Sequence, residues 1–311
     1  MEAVAPYRIT GRLGGGRNAH VLAAENLGAI CAIKLFSPSK QRRQRLMRRG
    51  RADPLDQWRT DFEREVDLQN SVQHPAIVTI LNRAQTNDGN PYFVMPLYPE
   101  TLAIRRWGTN LPQPVTQPLN GETARKVLAD ILNGASEMHR AEIAHWNLKP
   151  QNILMGKNAV ICDFGQAIRT MDISDHDIRR PGTFPYAAPK QRDGSAKLDR
   201  SADTYAIGMI AHLMLVGRLP HDGENIPDNV RPSNLADWIT AALNPDPTQP
   251  PLGGTSRLLG DVQDPLPIAQ QSYPLSPITH GHRMRYQSRL SDTRIFHPDV
   301  HGECGRLTSD R

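Results

Sequence analysis

Cysteine is scarce in this chain. The three residues present, Cys31, Cys162 and Cys304, are scattered and odd in number. That argues against a disulfide framework and fits a reducing compartment. Long apolar runs are also missing. The longest, near Ile207 to Val216, is interrupted by His212 and is too short to span a bilayer. No charged-then-apolar pattern opens the chain. A cytoplasmic protein with no membrane span is therefore expected. No internal repeat is found either.

What the chain has is enough apolar residue for a core. Hydrophobic residues make up 38% of 311 and charged residues 22%, a globular balance rather than a disordered one. The net charge of +5 is local in origin. Residues 39–51 hold Lys40, Arg42, Arg43, Arg45, Arg48, Arg49 and Arg51 with no acid, so everything outside them nets −2 (+5 less those seven). The basicity is not a general nucleic-acid signature.

Periodicity divides the chain into a strand-rich first third and a helix-rich remainder. Tyr7 to Leu13 leads into Gly14-Gly15-Gly16, followed by short strands at Val21–Ala24 and Ala29–Phe36. Residues 56–72 read as a helix with Phe62, Val66, Gln69 and Val72 on one face, stopped by His74-Pro75. Strands are expected at 77–81 and 91–95. Residues 122–140 form an amphipathic helix through Val127, Leu128, Ile131, Leu132, Ala135 and Met138. Short strands follow at 152–155 and 159–162. A helix apolar on most sides covers 203–216, and a last one runs from Leu235 to Leu243. From about residue 264 the chain is rich in Pro, His, Arg and Ser without period, the composition of a disordered tail. Two lobes with a cleft between them are expected.

Single motifs say little. Gly14-Gly15-Gly16-Arg17-Asn18-Ala19-His20-Val21 fits G-x-G-x-x-G-x-V with Ala19 in the third glycine place. Such glycines let a backbone approach phosphates, but a plain glycine hairpin explains the match equally well. A strand, not a helix, follows them, which is wrong for a dinucleotide fingerprint. Lys34 ends an apolar strand and could simply snorkel there. Glu65 could be a solvated helix residue.

The stretch that discriminates is His145-Trp146-Asn147-Leu148-Lys149-Pro150-Gln151-Asn152-Ile153-Leu154. Cys162-Asp163-Phe164-Gly165 and then Gly182-Thr183-Phe184-Pro185-Tyr186-Ala187-Ala188-Pro189 follow it. Over residues 7 to about 250 this order and spacing resembles the eukaryotic-type (Hanks-type) Ser/Thr protein kinase family. The resemblance implies an α+β, bilobal fold with a β-rich first lobe and a helical second lobe. It divides the chain into 1–97 (with the basic insert 39–51), a shortened 98–263, and the tail 264–311. It implies ATP and Mg2+ as cofactors. Lys34 would hold the α- and β-phosphates and pair with Glu65, while Asn152 and Asp163 would carry the metal. Gly14 and Gly16 would cover the phosphates. Val21, Ala32 and Leu154 would sandwich adenine, with Met95 as gatekeeper and a hinge at Pro96-Leu97-Tyr98. Lys149 would reach the transferred phosphoryl group.

The departures from that family fall on catalysis and regulation. Asn147 replaces the aspartate that takes the acceptor hydroxyl's proton, and an amide oxygen has no useful basicity. Trp146 replaces an arginine that grips an activation-loop phosphate, which disfavours control through Thr170, Ser174 or Thr183. Lys190 stands in for the glutamate of the Ala-Pro-Glu motif, and Gln249 for its arginine partner. Gln69 occupies an apolar place in the stack joining the lobes, unless Leu68 fills it instead. The interval between Pro220-His221 and the helix at 235 is short for the family.

The segment 39–51 reads as a solvated arginine-rich loop or helix start, or as an arm for an anionic partner. His280, His282, His297, His301 and Cys304 have metal-compatible spacings, but their segment shows no ordered frame for a site. The expectation is a nucleotide-binding pseudokinase acting as a regulatory switch or scaffold, with a protein partner or substrate that the sequence does not identify. The alternatives are a low-activity Ser/Thr kinase and an interaction module without nucleotide.

Overall fold

The first lobe is an antiparallel sheet whose central strand is apolar on both faces. A computed structural model of the chain describes residues 4–16, 18–107, 118–173, 182–194, 198–220 and 233–244. Strands β1 (Arg8–Gly15), β2 (Ala19–Asn26) and β3 (Ala29–Phe36) form a meander. Two helices follow, α1 (Lys40–Arg48) and α2 (Leu55–Asn70), then β4 (Asn82–Gln85) and β5 (Pro91–Pro96). The strand order is β1-β2-β3-β5-β4. On β3 the pleat sends Cys31, Ile33 and Leu35 to one apolar cluster and Ala32 and Phe36 to another. Lys34 lies on the second face, where α2 packs through Trp58, Phe62 and Val66.

The second lobe begins with β6 (Glu100–Thr101) and α3 (Leu102–Trp107) and is built on α4 (Gly121–Arg140). Asn120 caps α4, its side-chain oxygen accepting the Thr123 N–H at 2.8 Å. Next come β7 (Ile143–Ala144), β8 (Ile153–Met155), β9 (Ala159–Ile161), β10 (Ile168–Arg169), α5 (Pro189–Asp193), α6 (Ser201–Val216) and α7 (Ser233–Ala242). One large core joins Val127, Ile131 and Met138 of α4 to Ile207 and Ile210 of α6 and Ile239 of α7.

One expected feature is corrected and one open alternative is decided. Residues 77–81 are not a strand. Ile77 and Val78 are buried and make a connector: the Ile161 N–H donates to the Ala76 carbonyl at 2.8 Å, and the Val78 N–H to the Ile161 carbonyl at 2.9 Å. The ladder starts only at Asn82, on residues that are all exposed, so hydrophobicity pointed to the wrong stretch. The basic insert, in turn, contains a full helix, α1, capped by Ser39, whose hydroxyl accepts the Arg42 N–H. The tail 264–311, Ser174, Gln249 and most of the interval after Pro220 lie outside the described residues.

Candidate functional site

Lys34 reaches across from β3 to two carboxylates. Its ammonium pairs with Glu65 of α2 and with Asp163 Oδ1, the latter at 2.8 Å. Burial alone would pull the Lys34 pKa down, but Asp163 and Glu65 together outweigh it and raise it. Burial pushes the Glu65 carboxyl up, and Lys34 counters part of that push. Asp163, whose side chain stays 39% exposed, is held down at about 2, chiefly by the Lys34 ammonium. Gly165 lies close to this pair: a Cβ there would crowd Glu65 Oε2 at 3.3 Å.

The loop from His145 to Asn152 is held from below by Asp203 in the first turn of α6. Its carboxylate is fully buried and accepts the His145 N–H at 2.8 Å and the Trp146 N–H at 2.7 Å. His139 Nε2 lies 2.9 Å from the same carboxylate. Trp146 sits at φ +58°, a left-handed conformation that the two backbone bonds around it maintain. Its indole is buried and donates to the Asp199 carbonyl at 3.0 Å. His145 packs edge-on against Phe164 with ring centroids 5.2 Å apart. Its Nδ1 lies 3.3 Å from the Asn147 N–H and its Nε2 lies 3.2 Å from the Cys162 carbonyl. Those partners suit a neutral ring protonated on Nε2, and burial lowers its pKa.

Asn147 is buried, and its side-chain oxygen accepts the Thr183 hydroxyl at 2.7 Å. The same hydroxyl accepts from Lys149 Nζ at 3.1 Å, and burial lowers the lysine's pKa. Asn152, also buried, donates through Nδ2 to the Asn147 carbonyl at 2.8 Å, which leaves its Oδ1 for another partner. The Cys162 N–H donates to the Asn152 carbonyl at 3.0 Å and so ties Asp163 to this loop. Among the described residues no group of three His, Cys, Asp or Glu gathers around a metal position.

The apolar residues expected around a base do come together. Ala32, Met95 and Cys162 belong to one cluster, with Val21, Leu154 and Tyr98 packed against it. Ala32 faces Met95 across the β3–β5 ladder, and Cys31 faces Pro96. Gly14 opposes Val21 beside an irregularity in β1, and the Gly16 N–H closes the turn on the Ala19 carbonyl at 2.8 Å. A Cβ on Gly14 or Gly16 would meet no protein atom within 4 Å.

Gln69 is 2% exposed. Its Nε2 donates to the Val78 carbonyl at 3.2 Å, while its Oε1 has no partner. Leu68 packs into the core of the second lobe. Lys190 pairs with Asp199 at 2.9 Å. Sequence reasoning missed Asp203, Asp199 and Gln191, whose Nε2 donates to the Trp146 carbonyl at 2.8 Å. A signal for Asp203 did exist: it is the single acid in a helix otherwise apolar on nearly every side.

Comparison with known proteins agrees with this geometry. Residues 7–250 match the protein kinase domain family. The chain is similar to the serine/threonine-protein kinase PrkC of Bacillus subtilis, with 29% identity over 70% of the chain and 32% of the relative. It is similar to GRIK1 of Arabidopsis thaliana at 28% over 70% of the chain and 56% of the relative. It is 30% identical to the probable kinase PknB of Lactococcus lactis over 70% of the chain and 33% of the relative. The chain thus spans between about a third and a little over half of these curated relatives.

Proposed function

Because this chain belongs to the protein kinase domain family, of the Ser/Thr (Hanks) type, we propose that it is a nucleotide-dependent switch or scaffold. It binds ATP with magnesium and thereby sets the surface offered to a protein partner, while phosphoryl transfer is slowed at Asn147. The observation that carries this reading is Lys34 held by both Glu65 and Asp163 above a loop whose acceptor group is an amide. The working division is 1–97 and 98–263 for the lobes, with 264–311 as a tail.

Each residue has a task in this reading. Lys34 binds the α- and β-phosphates, and Glu65 keeps it extended. Gly14 and Gly16 leave open space where the turn covers the phosphates. Val21, Ala32 and Leu154 enclose adenine, Met95 closes the back, and the Pro96 carbonyl and Tyr98 N–H meet its edge. Asp163, ionised, and the Oδ1 of Asn152 are hard oxygen donors that suit a magnesium completed by phosphate and water. The ion would neutralise charge on the phosphates. Lys149 contacts the terminal phosphate. Asn147 can orient an acceptor hydroxyl, but it cannot take up its proton. Losing such a base costs about 10²–10⁴-fold in rate.

Thermal unfolding with ATP and magnesium tests the reading. Saturation at a hundred times Kd stabilises by about 2.7 kcal/mol. No shift at millimolar nucleotide would overturn it. The assembled Lys34–Glu65–Asp163 group also favours a second reading, a slow Ser/Thr kinase. That reading requires phosphate incorporation that vanishes in Asp163→Ala. In either case Asn147→Asp should raise transfer with ATP affinity unchanged. An anionic partner at 39–51 completes the proposal.

A further inference from the structure

We propose that the outer face of α1 docks a phosphorylated segment of a protein partner, and that its occupancy is passed to the glycine turn and to α2. This deepens the anionic-partner reading of residues 39–51 and stands apart from nucleotide binding. Gln41, Gln44, Arg45, Arg48 and Arg49 recur at intervals of three and four and so share one face of the helix. All five are exposed and flank a shallow, open depression on that face. Among the described residues, Arg45, Arg48 and Arg49 have no partner, and α1 itself contains no acid. Three like charges at this spacing weaken a helix, and an anion between them reverses the sign of that effect.

The other side of α1 is committed to the protein. Arg43 forms a two-pronged pair with Asp53. Arg42 donates to Asn18 Oδ1 in the glycine turn at 3.0 Å, and its guanidinium lies 4.7 Å from the centre of the Trp58 ring on α2. Leu46 packs on the cluster that includes Trp58 and Phe62. Ordering α1 therefore braces the turn and the helix that carries Glu65.

The ligand chemistry follows from the side chains. Six of the seven cations in 39–51 are arginine, whose planar fork matches phosphate oxygens two at a time, unlike a lysine point charge. A phosphoserine brings nearly two negative charges and three acceptor oxygens. The stripe has no aromatic side chain to stack a base, and Met47 beside it is the single exposed apolar side chain that α1 offers to lipid. The rest of the chain nets −2, which disfavours the long basic track that a nucleic acid follows.

Fluorescence anisotropy on the full chain tests this, with a peptide bearing two phosphoserines one residue apart and its unphosphorylated twin. The phosphopeptide should bind at least about tenfold more tightly. The triple change Arg45→Gln, Arg48→Gln, Arg49→Gln should abolish binding, with unfolding temperature as the folding control. The triple change to lysine should lose most of it although the charge remains. Bound peptide should slow amide exchange at Asn18 and along α2 and tighten ATP binding about fivefold or more. Equal binding of the twin, or full binding by the lysine triple, would refute phosphate recognition. Stronger binding of single-stranded DNA or phosphatidylserine vesicles, lost in the glutamine triple, would assign the face to that ligand instead. Unchanged exchange along α2 would remove the coupling. A chain that binds phosphopeptide but no ATP would defeat the nucleotide reading and leave the docking site standing.

Discussion

Asp203→Asn removes one of the fixed points of the loop that carries Asn147. The native carboxylate is fully buried and accepts two backbone N–H groups, with His139 against the same oxygen that meets His145. An asparagine keeps one acceptor oxygen and turns an amide N–H₂ toward the other donors. One buried backbone N–H is then orphaned, which costs about 1–3 kcal/mol. Alanine orphans both donors and roughly doubles the loss, to about 2–6 kcal/mol, against a total stability of about 5–15 kcal/mol. Trp146, at φ +58°, would also be freed from its left-handed conformation. For a domain of this size each kcal/mol moves the unfolding temperature by about 2–4 °C. The asparagine variant should therefore unfold several degrees early, with faster amide exchange at His145 to Asn147. An unchanged unfolding temperature together with unchanged exchange at those amides would refute the argument that Asp203 holds the loop.

Three further outcomes are expected. Gln69→Leu removes a buried oxygen that has no partner but also strips the Val78 carbonyl of its donor, so the two effects should nearly cancel, to within about 1 kcal/mol in urea titration; a loss of about 3 kcal/mol or more would show that the bond to Val78 is what the amide is kept for. Lys34→Met leaves the buried Glu65 without its cation, while Asp163 keeps solvent and Lys149, and should cost up to about 3 kcal/mol in urea titration as well as ATP affinity. His145 and His74 have pKa values lowered by burial from the ordinary 6.5. The unfolded chain regains that value and binds more protons below it. Stability is then fully present above about pH 6.5 and falls on acidification toward the folded-state values, by up to about 1.4 kcal/mol per pH unit for each ring. Unfolding temperatures at pH 7 and 5.5 check this, and a flat profile would contradict it.

Much of the fold was legible because periodicity and packing coincide. Val127, Leu128, Ile131 and Met138 face the core from α4 as their spacing implies, and α6 is apolar on most sides because it is buried. The site's sequence-predicted residues also come together, since Lys34, Glu65 and Asp163 meet from three distant segments. Legibility failed where side chains do unlike things in like patterns. The apolar stretch 77–81 looked like a strand but is a buried connector, and the exposed Asn82–Gln85 carries the ladder. α1 has no buried residue, so hydrophobic spacing could not mark it as a full helix. Gln191 acts on the carbonyl of Trp146, a contact across 45 positions that no local pattern encodes.

The stitch between Ala76, Val78 and Ile161, joined to α2 by the Gln69 bond to the Val78 carbonyl, makes α2 a lever with a fixed end. At 1.5 Å per residue, Glu65 stands about 7.5 Å from Asn70 at the tethered end, and Trp58 about 18 Å from it. A tilt that withdraws Glu65 by about 1 Å would carry Trp58 through about 2.4 Å. A modest force applied far out on the arm, where Arg42 rests, has a mechanical advantage over the ion pair near the pivot.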